Sequence, residues 1–165
     1  MSFSSMPDDA RVWVFGSEAE LAGDVASSML AAIDEYLAGW RAHGAPLTVA
    51  RDWRDGRFLA IAVDQRDENA SGCSLDALFR VLRDVERQIG SALLGGSRVY
   101  FRNACGAIEV TDRAGLAAMG AKGLVGAGTA VFDLSVQTAG DWRSRFEVPA
   151  SSAWHHALLP ETART

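Results

Sequence analysis

Three side chains of chemically competent type stand at segment boundaries: Cys73 within Ser71-Gly72-Cys73-Ser74, His43 just before Gly44, and Asp64 closing an apolar run. A cysteine at a helix start has its thiolate stabilised by unsatisfied backbone N–H groups and by the helix dipole. With His43 as base and Asp64 orienting the imidazole, Cys73 would be the nucleophile of a thiol enzyme or redox protein. The same helix start can work without reactive sulfur, because its N–H groups together with Ser71, Gly72, Ser74 and Arg102 suit a phosphate ester or carboxylate. Structural roles are open to each residue as well. Ser71 or Ser74 caps the helix, Gly72 turns the chain, Cys73 packs as a small apolar residue, and His43 complements a helix C-terminus. An aspartate placed like Asp64 also caps or turns the chain.

The elements that must position these residues follow from hydrophobic periodicity. Arg11 to Phe15 reads as a first strand stopped by Gly16. Ser17 and Glu20 have the spacing of a capping box, and Leu21, Val25, Met29, Ile33, Leu37 and Trp40 make the apolar stripe of a helix that Gly44 and Pro46 end. Leu47 to Arg54 alternates as a strand, Asp55-Gly56 is a tight hairpin turn, and Phe58 to Val63 is apolar on both faces, as an interior strand requires. From Ser74, a helical stripe of Leu75, Leu78, Phe79, Leu82, Val85 and Ile89 is closed by Gly90 or by the Gly95-Gly96 pair, and Val99 to Phe101 makes a fourth strand. The order predicts an α+β fold with a ferredoxin-like βαββαβ core over residues 11–103. A C-terminal β-α-β extension follows, with strands at 107–110 and 129–136 and a helix that Asp112 caps. One domain is expected over residues 11–159, with loose tails at 1–10 and 160–165. In a ferredoxin-like sheet, the fourth strand lies antiparallel beside the first, so His43, Asp64, Cys73, Arg102, Asn103 and Cys105 should share one pole.

Composition narrows the function classes. Over 165 residues there are 21 acidic and 16 basic side chains, a formal charge of −5 with no Lys/Arg block, which argues against nucleic acid and against anionic membranes as partners. Arg51, Arg54 and Arg57 flank the hairpin beside Trp53, but Asp52 and Asp55 offset them, so this reads as a solvated hairpin. No apolar run approaches a membrane span, and the polar, acidic start lacks the features of a secretory leader, so the expected location is the cytoplasm. Neither Cys73 nor Cys105 belongs to a CxxC pair, and adjacent His155 and His156 point apart in an extended chain, so no metal is expected and the histidines read as tail packing. Both cysteines are expected as free thiols. Gly115 and Gly120 have the spacing of phosphate-loop glycines, but Ala121 precedes Lys122 and Gly123 stands where Ser or Thr is needed. No cofactor motif is complete. The expectation is a domain that binds a small ligand or a protein partner, as a homo-oligomer closed over an open sheet edge or face, with the thiol chemistry and the anion site as alternatives.

Trp40-x-x-His43-Gly44, the strand from Phe58 to Asp64, Ser71-Gly72-Cys73-Ser74-Leu75-Asp76 and Val148-Pro149 with Trp154 resemble a family of small bacterial proteins of unassigned activity. That family carries the loose label "ABC transporter ATPase". The likeness spans residues 11–159, and Leu75 stands where the family has isoleucine. The label implies ATP hydrolysis, yet this chain lacks the phosphate loop, the lysine context and the length of such a domain.

Overall fold

In the computed structural model, which describes residues 2–66 and 68–165, helices and strands are mixed as an α+β fold requires. The chain runs β1 (Arg11–Gly16), α1 (Gly23–Ala38), β2 (Arg41–Ala42), β3 (Ala45–Pro46), β4 (Thr48–Arg54), β5 (Phe58–Asp64) and α2 (Gly72–Ile89). It continues through β6 (Val99–Arg102), β7 (Ile108–Thr111), α3 (Arg113–Ala121), β8 (Ala130–Phe132), α4 (Ala139–Ser144) and β9 (Glu147–Pro149). Two compact units result, where one domain was expected. The first holds the chain up to Leu94 with Ser135–Arg143, and the second holds Gly95–Leu134 with Ser144–Thr165. No helix among the described residues is long and apolar enough to cross a membrane.

The first unit is built on β5. Its residues Phe58 to Val63 have no solvent exposure, which accounts for the unbroken apolar run. Strands β1 and β4 pair with it antiparallel on either side, in the order β1-β5-β4, with Val14 opposite Ala60 and Ala50 opposite Ala62. One face of β5 carries Leu59, Ile61 and Val63 into a core with Met29, Ile33 and Leu37 of α1 and Leu78, Leu82 and Val85 of α2. The turn into β5 is the expected one, Asp55 and Gly56 taking φ of 54° and 63°. Helix α2 ends at Gly90 in the left-handed conformation, the first of the two ends its sequence allows.

Three expectations for this unit are corrected. Helix α1 does not start at a Ser17 capping box. Ser17 is buried, its hydroxyl meets that of Ser91 at 3.1 Å and its N–H donates to Arg57 O, and the helix begins only at Gly23 with Ala22 in the uncapped N-cap position. The buried face therefore runs through Ala26, Met29, Ile33 and Leu37, and Val25 is exposed. The fourth strand is not in this sheet. The outer edge of β1 is met by Gln137 and Thr138, where Val12 N–H donates to Gln137 O and Arg11 bridges Thr138. The segment before β1 is not a loose tail, since Phe3, Met6 and Ala10 are buried and Arg143 donates to the carbonyls of Phe3 and Met6.

The second unit is an antiparallel sheet in the order β7-β6-β8-β9. Phe101 sits opposite Glu109 on one side and Val131 on the other. The expected strand and Asp112-capped helix of the C-terminal extension are present, with Asp112 Oδ1 accepting from Gly115 N–H at 2.7 Å, but of the strand expected over 129–136 only Ala130–Phe132 forms. Its core gathers Val99, Phe101, Leu116, Val125, Val131, Ala150 and Leu159. Gly120 is a packing glycine: a Cβ there would lie 2.9 Å from Pro160 Cδ. Residues 160–165 hold a short 3-10 turn, and Arg164 donates to Leu159 O. His155 is fully buried in the 3-10 turn Trp154–Leu158 and stacked on Trp154 at 4.0 Å, with neither ring nitrogen hydrogen-bonded.

Candidate functional site

The start of α2 is fixed by its own side chains and by the end of α1. Ser71 is the N-cap, its Oγ accepting from Ser74 N–H at 3.2 Å while Ser74 Oγ donates back to Ser71 O at 2.8 Å. Trp40 Nε1 donates to Ser74 O at 3.0 Å, and the Tyr36 hydroxyl reaches the same carbonyl at 3.5 Å. Partial burial raises the Tyr36 hydroxyl pKa above its ordinary value, with Arg80 opposing the shift. Beyond Trp40 the chain forms a hairpin in which Arg41 pairs with Pro46 and Ala42 with Ala45. His43 and Gly44 make its turn with φ of 51° and 82°. His43 is thus not in a last helical turn, as expected from sequence, and owes its position to the hairpin.

These elements surround a cavity of about 360 Å³ lined by Trp40, Arg41, His43, Ser71, Cys73 and Ser74. Cys73 is exposed and not packed away. It is the second residue of the helix, and Ser71 Oγ is taken by Ser74 N–H, so the N–H groups of Gly72 and Cys73 have no partner among the described residues. A Cβ on Gly72 would meet nothing within 4 Å, so this end of the helix is open. Arg41 spans the turn by donating to Gly44 O at 3.0 Å. The arrangement sets the first turn of a helix, with the unpaired N–H and thiol of Cys73, beside His43 and Arg41 on one small concavity, which is chemistry suited to negative charge.

Other expected members lie elsewhere. Asp64 is 4% exposed at the end of β5 and does not line this cavity. Arg66 engages both its carboxylate oxygens, and Arg66 N–H donates to Oδ1 at 3.1 Å. These hydrogen bonds hold the Asp64 pKa below the usual carboxylate value, so Asp64 orients Arg66 and its own loop, and does not hydrogen-bond His43. Arg102, Asn103 and Cys105 belong to the second unit. Arg102 pairs with Glu147 there, Asn103 Oδ1 accepts from the N–H groups of Cys105 and Ala107, and Cys105 is an exposed free thiol in that turn. The antiparallel neighbour relation that would have joined them to the Cys73 pole is not formed, because β6 pairs with β7 and β8.

Sequence reasoning missed Tyr36, Trp40 and Arg41 as parts of the site. In sequence Trp40 is the last member of an apolar stripe, and its indole N–H gives no separate signal. Among the described residues no group of three His, Cys, Asp or Glu side chains stands close enough to hold a metal ion. Compared with family models, with curated proteins and with solved structures, the chain matches none.

Proposed function

We propose that this chain is a cytoplasmic binding protein that takes a small anionic ligand, a carboxylate or phosphate ester, in the mouth of α2. The observation that carries the reading is the unpartnered N–H of Cys73, with that of Gly72 beside it, at a cavity that Cys73, Arg41 and His43 line. We further infer that the first unit is a ferredoxin-like arrangement reduced to three strands, since β1-β5-β4 has the order that the first three strands of that fold take. The protein acts as a homo-oligomer in this reading, with light scattering over a dilution series as the check. A thermal-shift panel of carboxylates and phosphorylated metabolites tests the ligand. A compound at 100 times its dissociation constant should add about 2.7 kcal/mol, and the Arg41→Ala, His43→Ala double variant should abolish the shift. A melting temperature unchanged by every compound would reject the reading.

A second reading, a thiol enzyme or redox protein, is favoured by one observation: Cys73 is exposed and lines the same cavity as His43. Alkylation rates followed against pH in a Cys105→Ser background decide it. A thiol titrating near 8.5, unchanged by His43→Ala, leaves Cys73 as a bystander of the binding site.

A further inference from the structure

Three arginines of the first unit converge on a second cavity, of about 650 Å³, along the edge of β4, walled by Arg51, Arg54, Arg143, Asp34, Asp52 and Val49. Each guanidinium is anchored. Arg51 grips Asp34 through Nε and Nη2, both at 2.7 Å. Arg54 donates to Asp52 through Nε at 3.0 Å and to Trp142 O through Nη1 at 3.1 Å, and lies 4.3 Å over the Trp142 ring. Arg143 bonds Asp8, Phe3 O and Met6 O.

A guanidinium has five N–H donors, so these anchors leave donors over on all three residues. Among the described residues, both hydrogens of Arg51 Nη1 and both of Arg54 Nη2 have no acceptor. Acceptors are scarcer. Asp52 already receives Trp53 N–H, Arg54 Nε and Trp142 Nε1. The cavity is therefore nearly balanced in charge but rich in fixed donors, and its natural complement is a molecule rich in acceptor oxygens. Carboxylate and phosphate oxygens match the planar donor pairs of arginine better than any neutral group.

We propose that the β4-edge cavity is a binding site for an oxyanion with several acceptor oxygens, a phosphate or a polycarboxylate, separate from the mouth of α2. The anchoring carboxylates and the Trp142 ring hold the guanidiniums in place before the ligand arrives, so little side-chain order has to be created on binding. Arg51 and Arg54 alternate to opposite faces of β4, so a ligand lying across the strand edge is approached from both sides.

The test is an amide NMR titration of the whole protein with inorganic phosphate and, separately, with citrate, which distinguishes the two sources of the oxyanion. Saturable shifts confined to Val49–Arg54 and the Phe3–Ser5 turn are expected with one of them. The Arg51→Gln and Arg54→Gln variants should each weaken binding about tenfold or more, with dispersed spectra retained. The titration of the unaltered protein stands by itself if a variant fails to fold. No saturable shift with either anion, or shifts at Ser71–Cys73 only, would overturn the proposal, the latter outcome assigning the anion to the mouth of α2.

Discussion

Acidification should destabilise the second unit through His155. Its imidazole is fully buried, stacked on Trp154, and bonded through neither nitrogen. Burial lowers its pKa from 6.5 to about 4, with the charge of Asp133 opposing the shift. The folded state thus resists a proton that the unfolded chain accepts readily. The stabilising contribution is complete above pH 6.5, diminishes as the pH falls below that value, and is gone below about 4. At about 1.36 kcal/mol per pKa unit, the full loss is about 3 kcal/mol, with about 2 kcal/mol gone by pH 5. For a domain with a typical margin of about 5–15 kcal/mol this is a large fraction.

Urea unfolding of the native protein and of His155→Phe between pH 7 and pH 4 isolates the effect, since carboxylate titrations are common to both. Phenylalanine keeps a ring against Trp154 and removes two buried nitrogens that have no partner, so the variant should match or exceed the native stability at pH 7. Its acid loss should be smaller by about 2 kcal/mol at pH 5. Direct NMR titration of the His155 ring checks the premise, and Asp133→Asn should lower its pKa further by removing the favourable charge. Parallel pH profiles for the two proteins, or a folded-state His155 titrating near 6.5, would refute the reasoning.

Removing the N-cap of α2 with Ser71→Ala should cost about 1 kcal/mol, seen as a melting point lower by about 2–4 °C, and an unchanged melting point would mean that the cap carries no weight. Leu82 is wholly buried between α2 and the sheet, so Leu82→Ala should cost about 2–5 kcal/mol in chemical denaturation, a smaller loss showing that the core relaxes around the gap. In Arg66→Ala the Asp64 carboxyl should lose its guanidinium partner and keep only the backbone N–H of residue 66, so its pKa should rise from the lowered value when followed by carbon-detected NMR. A titration identical to the native protein would show that another group holds it down.

What was legible in the chain was what is decided locally. The run Phe58 to Val63 marks the central strand because a strand buried on both faces has no polar side to show. Asp55-Gly56 and Asp112 mark a turn and a cap because each satisfies a backbone demand within a few residues of itself, whereas the ends of α2 are narrowed only to Ser71 or Ser74 and to Gly90 or Gly95-Gly96. The same logic misled at Ser17, whose spacing to Glu20 fits a capping box. Its hydroxyl is taken by Ser91, which lies 74 residues away in sequence, and no local pattern carries that information. His43-Gly44 misled differently: a glycine after an apolar stripe suits a helix end, yet here both residues adopt positive φ in a hairpin turn, a conformation uncommon for histidine. Phe3 and Met6 gave no periodic signal at all and are buried through contacts with a segment more than 130 residues on.

The strand Val99–Arg102 separates the two kinds of inference most clearly. Its β character was readable from Val99-Tyr100-Phe101, but which strand it pairs with is a long-range choice. Gln137 and Thr138 take the edge of β1 that it was expected to take, and it pairs with β7 and β8 instead. Arg102, Asn103 and Cys105, which belong to the second unit, depended on that pairing for a place at the Cys73 pole. His43 and Cys73 did not, because their proximity rests on a shorter chain of causes. Trp40 follows just after α1, its indole N–H binds Ser74 O in the first turn of α2, and the Arg41–Pro46 hairpin then carries His43 to the same opening. The α2 mouth survives the loss of the fourth strand since nothing in it depends on the fourth strand, and for the same reason its chemistry can be tested by substitutions at Arg41, His43 and Cys73, which lie outside the β1-β5-β4 and β7-β6-β8-β9 sheets.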